Sequence, residues 1–124
     1  MNRRTAFLVA GLVGFLGVAL GAFGAHALKE VLLQHHTRGI WNTAVLYHLV
    51  HVPVLLWLAG RKTVSALPTI LFTFGIFFFS GSLYALALSD IRWLGAITPI
   101  GGLLLLAGWL WLAFFAYRAE GTKE

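Results

Sequence analysis

Cysteine is absent from this 124-residue chain, which excludes disulfides, thiolate metal sites and redox pairs. Charge is scarce: Asp, Glu, Lys and Arg make up 10% of the residues. Soluble domains carry about 25%, so an ordinary water-soluble fold is excluded. Only four acids occur, and Glu30 and Asp90 stand apart at loop edges, so no paired carboxylates are available for general acid/base work. Also missing are a phosphate-binding glycine loop, a nucleophile elbow and a His-Glu-x-x-His helix, and nothing reads as an enzyme. The net charge of +5 and the isoelectric point near 10.3 suggest nucleic acid at first sight. However, the nine Lys and Arg residues form no stripe or run, and basic loop ends facing anionic lipid account for them better.

Hydrophobic residues fill 60% of the chain, and the mean hydropathy is +0.87. They gather into four apolar stretches, at 5–28, 40–60, 64–88 and 94–117. A helix rising ~1.5 Å per residue needs about 20 apolar residues to cross a hydrocarbon core of about 30 Å. Each stretch meets that length. The expected fold is therefore all-α: one integral membrane bundle of four transmembrane helices over 1–124, with a short interfacial amphipathic segment between the first two spans.

With four spans the termini share a side. Arg3, Arg4, Arg61, Lys62, Arg118 and Lys123 fall on it, against Lys29, Arg38 and Arg92 opposite. By the positive-inside rule both termini are expected in the cytoplasm. Arg3-Arg4 with Ala25-His26-Ala27 imitates a signal peptide, but the apolar run from Ala6 to Ala25 is too long for one, so a retained first helix is expected. The tail at 119–124 is the only stretch that reads as unstructured.

Within the first span, Ala10, Gly14, Gly17, Gly21, Gly24 and Ala25 fall within an arc of about 100° at 100° per residue. Such a small-residue face lets another helix approach closely, either a sister helix of the same chain or a second copy. Residues 29–39 have the spacing of an amphipathic helix, which Gly39 is expected to end. In the second span a kink is expected at Pro53. In the fourth, Thr98 and Pro99 read as N-cap and first helical residue.

The polar residues gather at one depth. His26, Trp41, Tyr47, His48, His51, Ser80, Ser82, Tyr84 and Thr98 all fall in the outer half or near mid-depth, and the inner half has no comparable set. Polar groups at membrane depth are costly unless partnered, so they are expected to turn inward. Two readings stand open: a hydrogen-bonded network that fixes helix register, or a small-molecule, ion or proton site open to the outer face. His48 and His51, at i and i+3, are weak candidates for a metal, with His26 or Tyr84 as a third ligand, since such sites need three or four ligands. No metal or other cofactor is implied. The expected partners are the lipid bilayer and a second copy or a larger membrane complex.

Several strings together are quite specific. Gly21-Ala22-Phe23-Gly24-Ala25-His26, Trp41-Asn42-Thr43-Ala44-Val45-Leu46-Tyr47, His51, Phe79-Ser80-Gly81-Ser82-Leu83-Tyr84, Thr98-Pro99-Ile100-Gly101-Gly102 and Gly108-Trp109 resemble one small family. It is the YgdD-like bacterial membrane proteins of domain-of-unknown-function family 423, related to eukaryotic transmembrane protein 256. The resemblance runs through all four spans and implies a four-helix protein of the bacterial inner membrane, with no activity, cofactor or catalytic residue to carry over. It also implies Gln as the common residue where this chain has His48, whereas His26 and His51 match the pattern.

Overall fold

A computed structural model describes residues 1–118. The expectation for the tail at 119–124 lies outside the described residues. The elements are α1 (Arg3–Ala25), α2 (Lys29–Gln34), α3 (Arg38–Gly60), α4 (Ala66–Ser89), a 3₁₀ turn (Arg92–Ala96) and α5 (Thr98–Phe115). Among the described residues four segments are long and apolar enough to cross a membrane: α1, α3, α4, and the 3₁₀ turn taken together with α5. The chain is an all-α membrane bundle.

Helix ends follow local chemistry and correct two expectations. Asn2 caps α1, its side-chain oxygen accepting from the Thr5 N–H at 2.8 Å. The amphipathic segment is shorter than expected. It stops at His36, which takes a left-handed φ of 54° while Thr37 N–H bonds the Leu32 carbonyl and His36 N–H that of Leu33. That is a Schellman closure with His where Gly is usual. Gly39 is therefore not the terminator; it lies in the first turn of α3. Asp90 ends α4 in the same left-handed region, with φ 58°. In α5 the N-cap is Ile97, and Thr98 is already helical, with no capping bond from its side chain. Pro53 lies inside α3, which runs as one helix from Arg38 to Gly60.

The long helices alternate in direction and pack serially, α1 on α3, α3 on α4, α4 on α5. Among the described residues α1 and α5 do not meet, and α1 touches α4 only slightly, so the bundle is an open row rather than a closed ring. Its outward surface is apolar, with Phe15, Val18, Phe77, Leu103 and Phe114 exposed, as suits lipid. One buried cluster, around Leu55, Leu58, Phe72, Ile76 and Leu105, lies toward the end carrying the termini. Another, around Leu32, Trp41, Ala44, Tyr84 and Ala87, lies toward α2. The histidines of α3 sit between them.

Candidate functional site: a polar layer bonded to backbone

The small-residue face of α1 lies against α3 of the same chain. A methyl at Gly14 would meet Val52, at Gly17 Leu49 and His48, at Gly21 Val45, and at Gly24 the Trp41 ring. Ala10 is fully buried on the same face, facing the core around Leu55. Ala25 departs from the expectation and is exposed. The helices run antiparallel, so Gly24, Gly17 and Ala10 step past Trp41, His48 and Leu55 at seven-residue intervals on both sides. That shared interval keeps the seam in register over its whole length.

Two of these glycines do more than admit a neighbour. In an α-helix the carbonyl of residue i points toward residue i+4. With Gly at i+4, a side chain from another helix can reach it. Gly17 bares the Val13 carbonyl, which accepts from His48 Nε2 at 2.8 Å. Gly24 bares the Leu20 carbonyl, which accepts from the Trp41 indole N–H at 3.1 Å.

His48 is buried, and both ring nitrogens are engaged. A carbonyl can only accept, so Nε2 carries the proton. Nδ1 is then the acceptor of the Tyr84 hydroxyl at 2.9 Å. His51, also buried, has the opposite tautomer. The Trp109 indole can only donate, so His51 Nε2, 3.1 Å away, accepts. Its Nδ1–H turns back to the Tyr47 carbonyl on its own helix. Both imidazoles are neutral in this pattern. They point in different directions, His48 to α1 and α4, His51 to α5. The lone pairs a metal would need are taken by Tyr84 and Trp109, and no group of three or more His, Cys, Asp or Glu is placed to hold a metal ion among the described residues.

The hydroxyls complete the layer. Ser80 donates to the Ala44 carbonyl of α3 at 2.7 Å. Ser82 donates to Phe79 O and pairs with the Thr98 hydroxyl at 2.7 Å, joining α4 to α5. Tyr84 also packs its ring against Trp41, centroids 4.7 Å apart. Two expected members stand outside. His26 is exposed at the end of α1, away from the histidines of α3. Tyr47 is 43% exposed; its ring lies on Phe79, and only its backbone carbonyl joins the network.

Sequence reasoning passed over several groups that act alike. The carbonyl of Ala87, near the C-terminus of α4, accepts from the buried Thr37 hydroxyl at 2.7 Å and contacts His35 Nδ1 at 3.1 Å. Arg92 bonds the His35 carbonyl and pairs with Asp90. At the opposite end Arg3 bonds the Gly60 carbonyl at 3.0 Å, and the buried Arg61 bonds that of Ala116. Both cations thus meet the negative ends of helices. Gly75, Gly101 and Gly108 form a second seam. A methyl on them would strike Leu105, the Phe79 backbone and the Phe72 ring respectively. A 220 Å³ cleft opens between α1 and α4, its walls including Leu16, Leu20, Phe77 and Gly81, with His48 and Tyr84 inside.

The strings flanking these seams are those that carry the family resemblance, and direct comparison bears this out. Residues 20–102 match the family described as "Protein of unknown function (DUF423)". The chain belongs to this family. Among curated relatives, a UPF0382 membrane protein of Staphylococcus haemolyticus is 41% identical over 121 residues, covering 93% of this chain and 98% of its own. The UPF0382 inner membrane protein YgdD of Escherichia coli is 37% identical, covering 97% and 95% respectively. YwdK of Bacillus subtilis, another UPF0382 membrane protein, is 36% identical, covering 90% and 96%. No solved structure matches the chain.

Proposed function

We propose that this chain is a non-catalytic membrane component, a preformed bundle that acts by packing beside a second copy or within a larger membrane complex. The supporting observation is the use of the polar layer. Trp41, His48 and Ser80 each bond a backbone carbonyl of a neighbouring helix, and His51 bonds α5 through Trp109. Side chains arranged this way fix register, and neither imidazole keeps a lone pair for a substrate. The basic residues at the end carrying the termini favour a cytoplasmic placement of both, in the bacterial inner membrane. Fusion of a fluorescent protein and of a periplasm-dependent phosphatase to the C-terminus tests that placement: fluorescence without phosphatase activity is expected, and the reverse overturns it.

The other reading, a proton or small-molecule site, draws on the cleft beside His48 and Tyr84. Proteoliposomes holding a pH-sensitive dye decide between the two. Under an imposed pH gradient, flux equal to that of protein-free vesicles is expected. Flux that is present and lost in His48→Leu would replace the packing role with a proton path. Native mass spectrometry of the protein extracted in mild detergent addresses partners directly, and recovery of monomer alone would count against the accessory role.

A further inference from the structure

A second groove, of 360 Å³, lies between α3 and α5 in the half of the bundle nearer the termini. It is lined by Pro53, Val54, Trp57, Trp109, Leu112 and Ala116. These walls offer almost nothing to a polar ligand. α3 and α5 do not approach each other by backbone, so the groove is open sideways to the hydrocarbon. Its end is a different environment. The Arg61 guanidinium stacks 4.7 Å over the Trp57 ring and bonds the Ala116 carbonyl, so it is anchored on two of the groove's own walls. Lys62 follows, exposed, in the bend after α3. Among the described residues that end holds Arg3, Arg4, Arg61, Lys62 and Arg118 and no Asp or Glu.

We propose that this groove is a binding site for an anionic phospholipid, with an acyl chain along Val54, Trp57, Trp109 and Leu112 and the phosphate held by the exposed Lys62 beside the anchored Arg61. The shape commits to a lipid rather than a soluble anion, because the cationic end continues into an apolar channel at membrane depth. Its sign commits to an anionic headgroup. One basic residue near an anionic surface contributes a preference of about fivefold. The proposal needs only that the chain is embedded in a bilayer, and it stands or falls separately from the accessory role.

Two tryptophans line the groove, which supplies a reporter. The full chain would be reconstituted in phosphatidylcholine vesicles containing, at equal mole fraction, either brominated phosphatidylglycerol or brominated phosphatidylcholine. Bromine quenches tryptophan on contact, and Trp57→Phe and Trp109→Phe assign the signal to the groove. Stronger quenching by the phosphatidylglycerol is expected. Lys62→Gln should reduce that preference by about fivefold, and Arg4→Gln, a cation at the same end but on α1, should leave it intact. Equal quenching by both lipids overturns the site. So does an equal loss in Lys62→Gln and Arg4→Gln, which would mark a general surface charge. Lys62 is exposed and makes no helix-capping bond among the described residues, so its variant reads binding without depending on the stability of Arg61→Gln.

Discussion

Along the seam between α1 and α3 every glycine is on α1, whereas between α4 and α5 the glycines come from both helices. In the first, Gly17 and Gly24 admit His48 and Trp41, whose nitrogens bond the carbonyls just beneath. In the second, Gly75 admits Leu105, Gly108 admits the Phe72 ring, and Gly101 lies against the Phe79 backbone, leaving the Ser82–Thr98 pair as the polar link. Both seams pair antiparallel helices by letting small residues face large ones. The α1 seam adds direction, because a donor must find a particular carbonyl. The α5 seam relies on shape, with the closest approach of backbones at Gly101. In a bilayer, where lipid removes the hydrophobic drive between helices, these are the two ways left to make association favourable.

The sharpest way to break this comparison is to add bulk at the point of closest approach in each seam. A methyl at Gly101 would lie under 3.0 Å from main-chain atoms of Phe78 and Phe79, which cannot rotate away. Gly101→Leu should cost about 3 kcal/mol or more, since overpacking here requires α5 to shift bodily. Gly24→Leu displaces the Trp41 ring and its bond to Leu20, with a loss of about 2–3 kcal/mol. Gly21→Leu meets only the end of Val45, at 3.3 Å, and should cost less than either. Thermal unfolding in detergent ranks the three; a Gly101 variant more stable than the Gly24 variant would reverse the assignment of shape to one seam and direction to the other.

How legible the two seams were in the sequence follows from where their glycines sit. Ala10 and four glycines at three- and four-residue steps on one helix make a stripe that periodicity reveals, and of the face expected there only Ala25 is exposed. Gly101 and Gly108 share a face of α5 at a seven-residue interval, but two residues make too short a stripe to stand out, and Gly75 is their single counterpart on α4. The polar layer was legible for a similar reason. Costly groups at one depth are expected to converge, and Trp41, His48, His51, Ser80, Ser82, Tyr84 and Thr98 each make a hydrogen bond to another helix. What sequence could not give was direction around the helix axis. His48 and His51, one turn apart, turn to different neighbours, and His26 faces out. Thr37 was passed over and Arg61 read only as a charge, because loop residues carry no periodicity, although each bonds a helix-end carbonyl.

Replacing the histidines tests direction alone. His48→Leu removes the bonds to Val13 and Tyr84 and leaves the tyrosine hydroxyl buried without a partner. A loss of about 1–2 kcal/mol is expected from intramembrane hydrogen bonds of this kind. His48→Gln should recover most of it, because an amide supplies a donor for Val13 and an acceptor for Tyr84. A double-mutant cycle with Tyr84→Phe measures the coupling, and a coupling of zero would show the two side chains to be neighbours without a bond. His51→Leu should cost less, about 1 kcal/mol, since only the Trp109 bond joins helices.

Ser82→Ala probes the polar link of the α4–α5 seam. Ser82 pairs with Thr98, and losing that bond should cost about 0.6 kcal/mol, with Thr98→Ala adding little once Ser82 is gone. A loss as large as that in His48→Leu would show that this seam, too, depends on direction.

The smallest effect is expected at Gly11. It shares α1 with the packing glycines but faces away from α3, with nothing within 4 Å of an added methyl. Gly11→Leu therefore adds a side chain to a surface already lined by Leu8, Leu12 and Phe15 and in contact with lipid. Relief of the glycine's conformational freedom in a helix acts in the stabilising direction by about 1 kcal/mol at most. Unfolding of Gly11→Leu should coincide with that of the native chain or come slightly later. The same measurement bears on self-association. Were a second copy seated on this face of α1, the leucine would be overpacked, and both stability and the dimer fraction in native mass spectrometry would fall together. An unchanged mass distribution leaves that face of α1 to lipid and confines the close packing of α1 to the face already buried against Trp41 and His48.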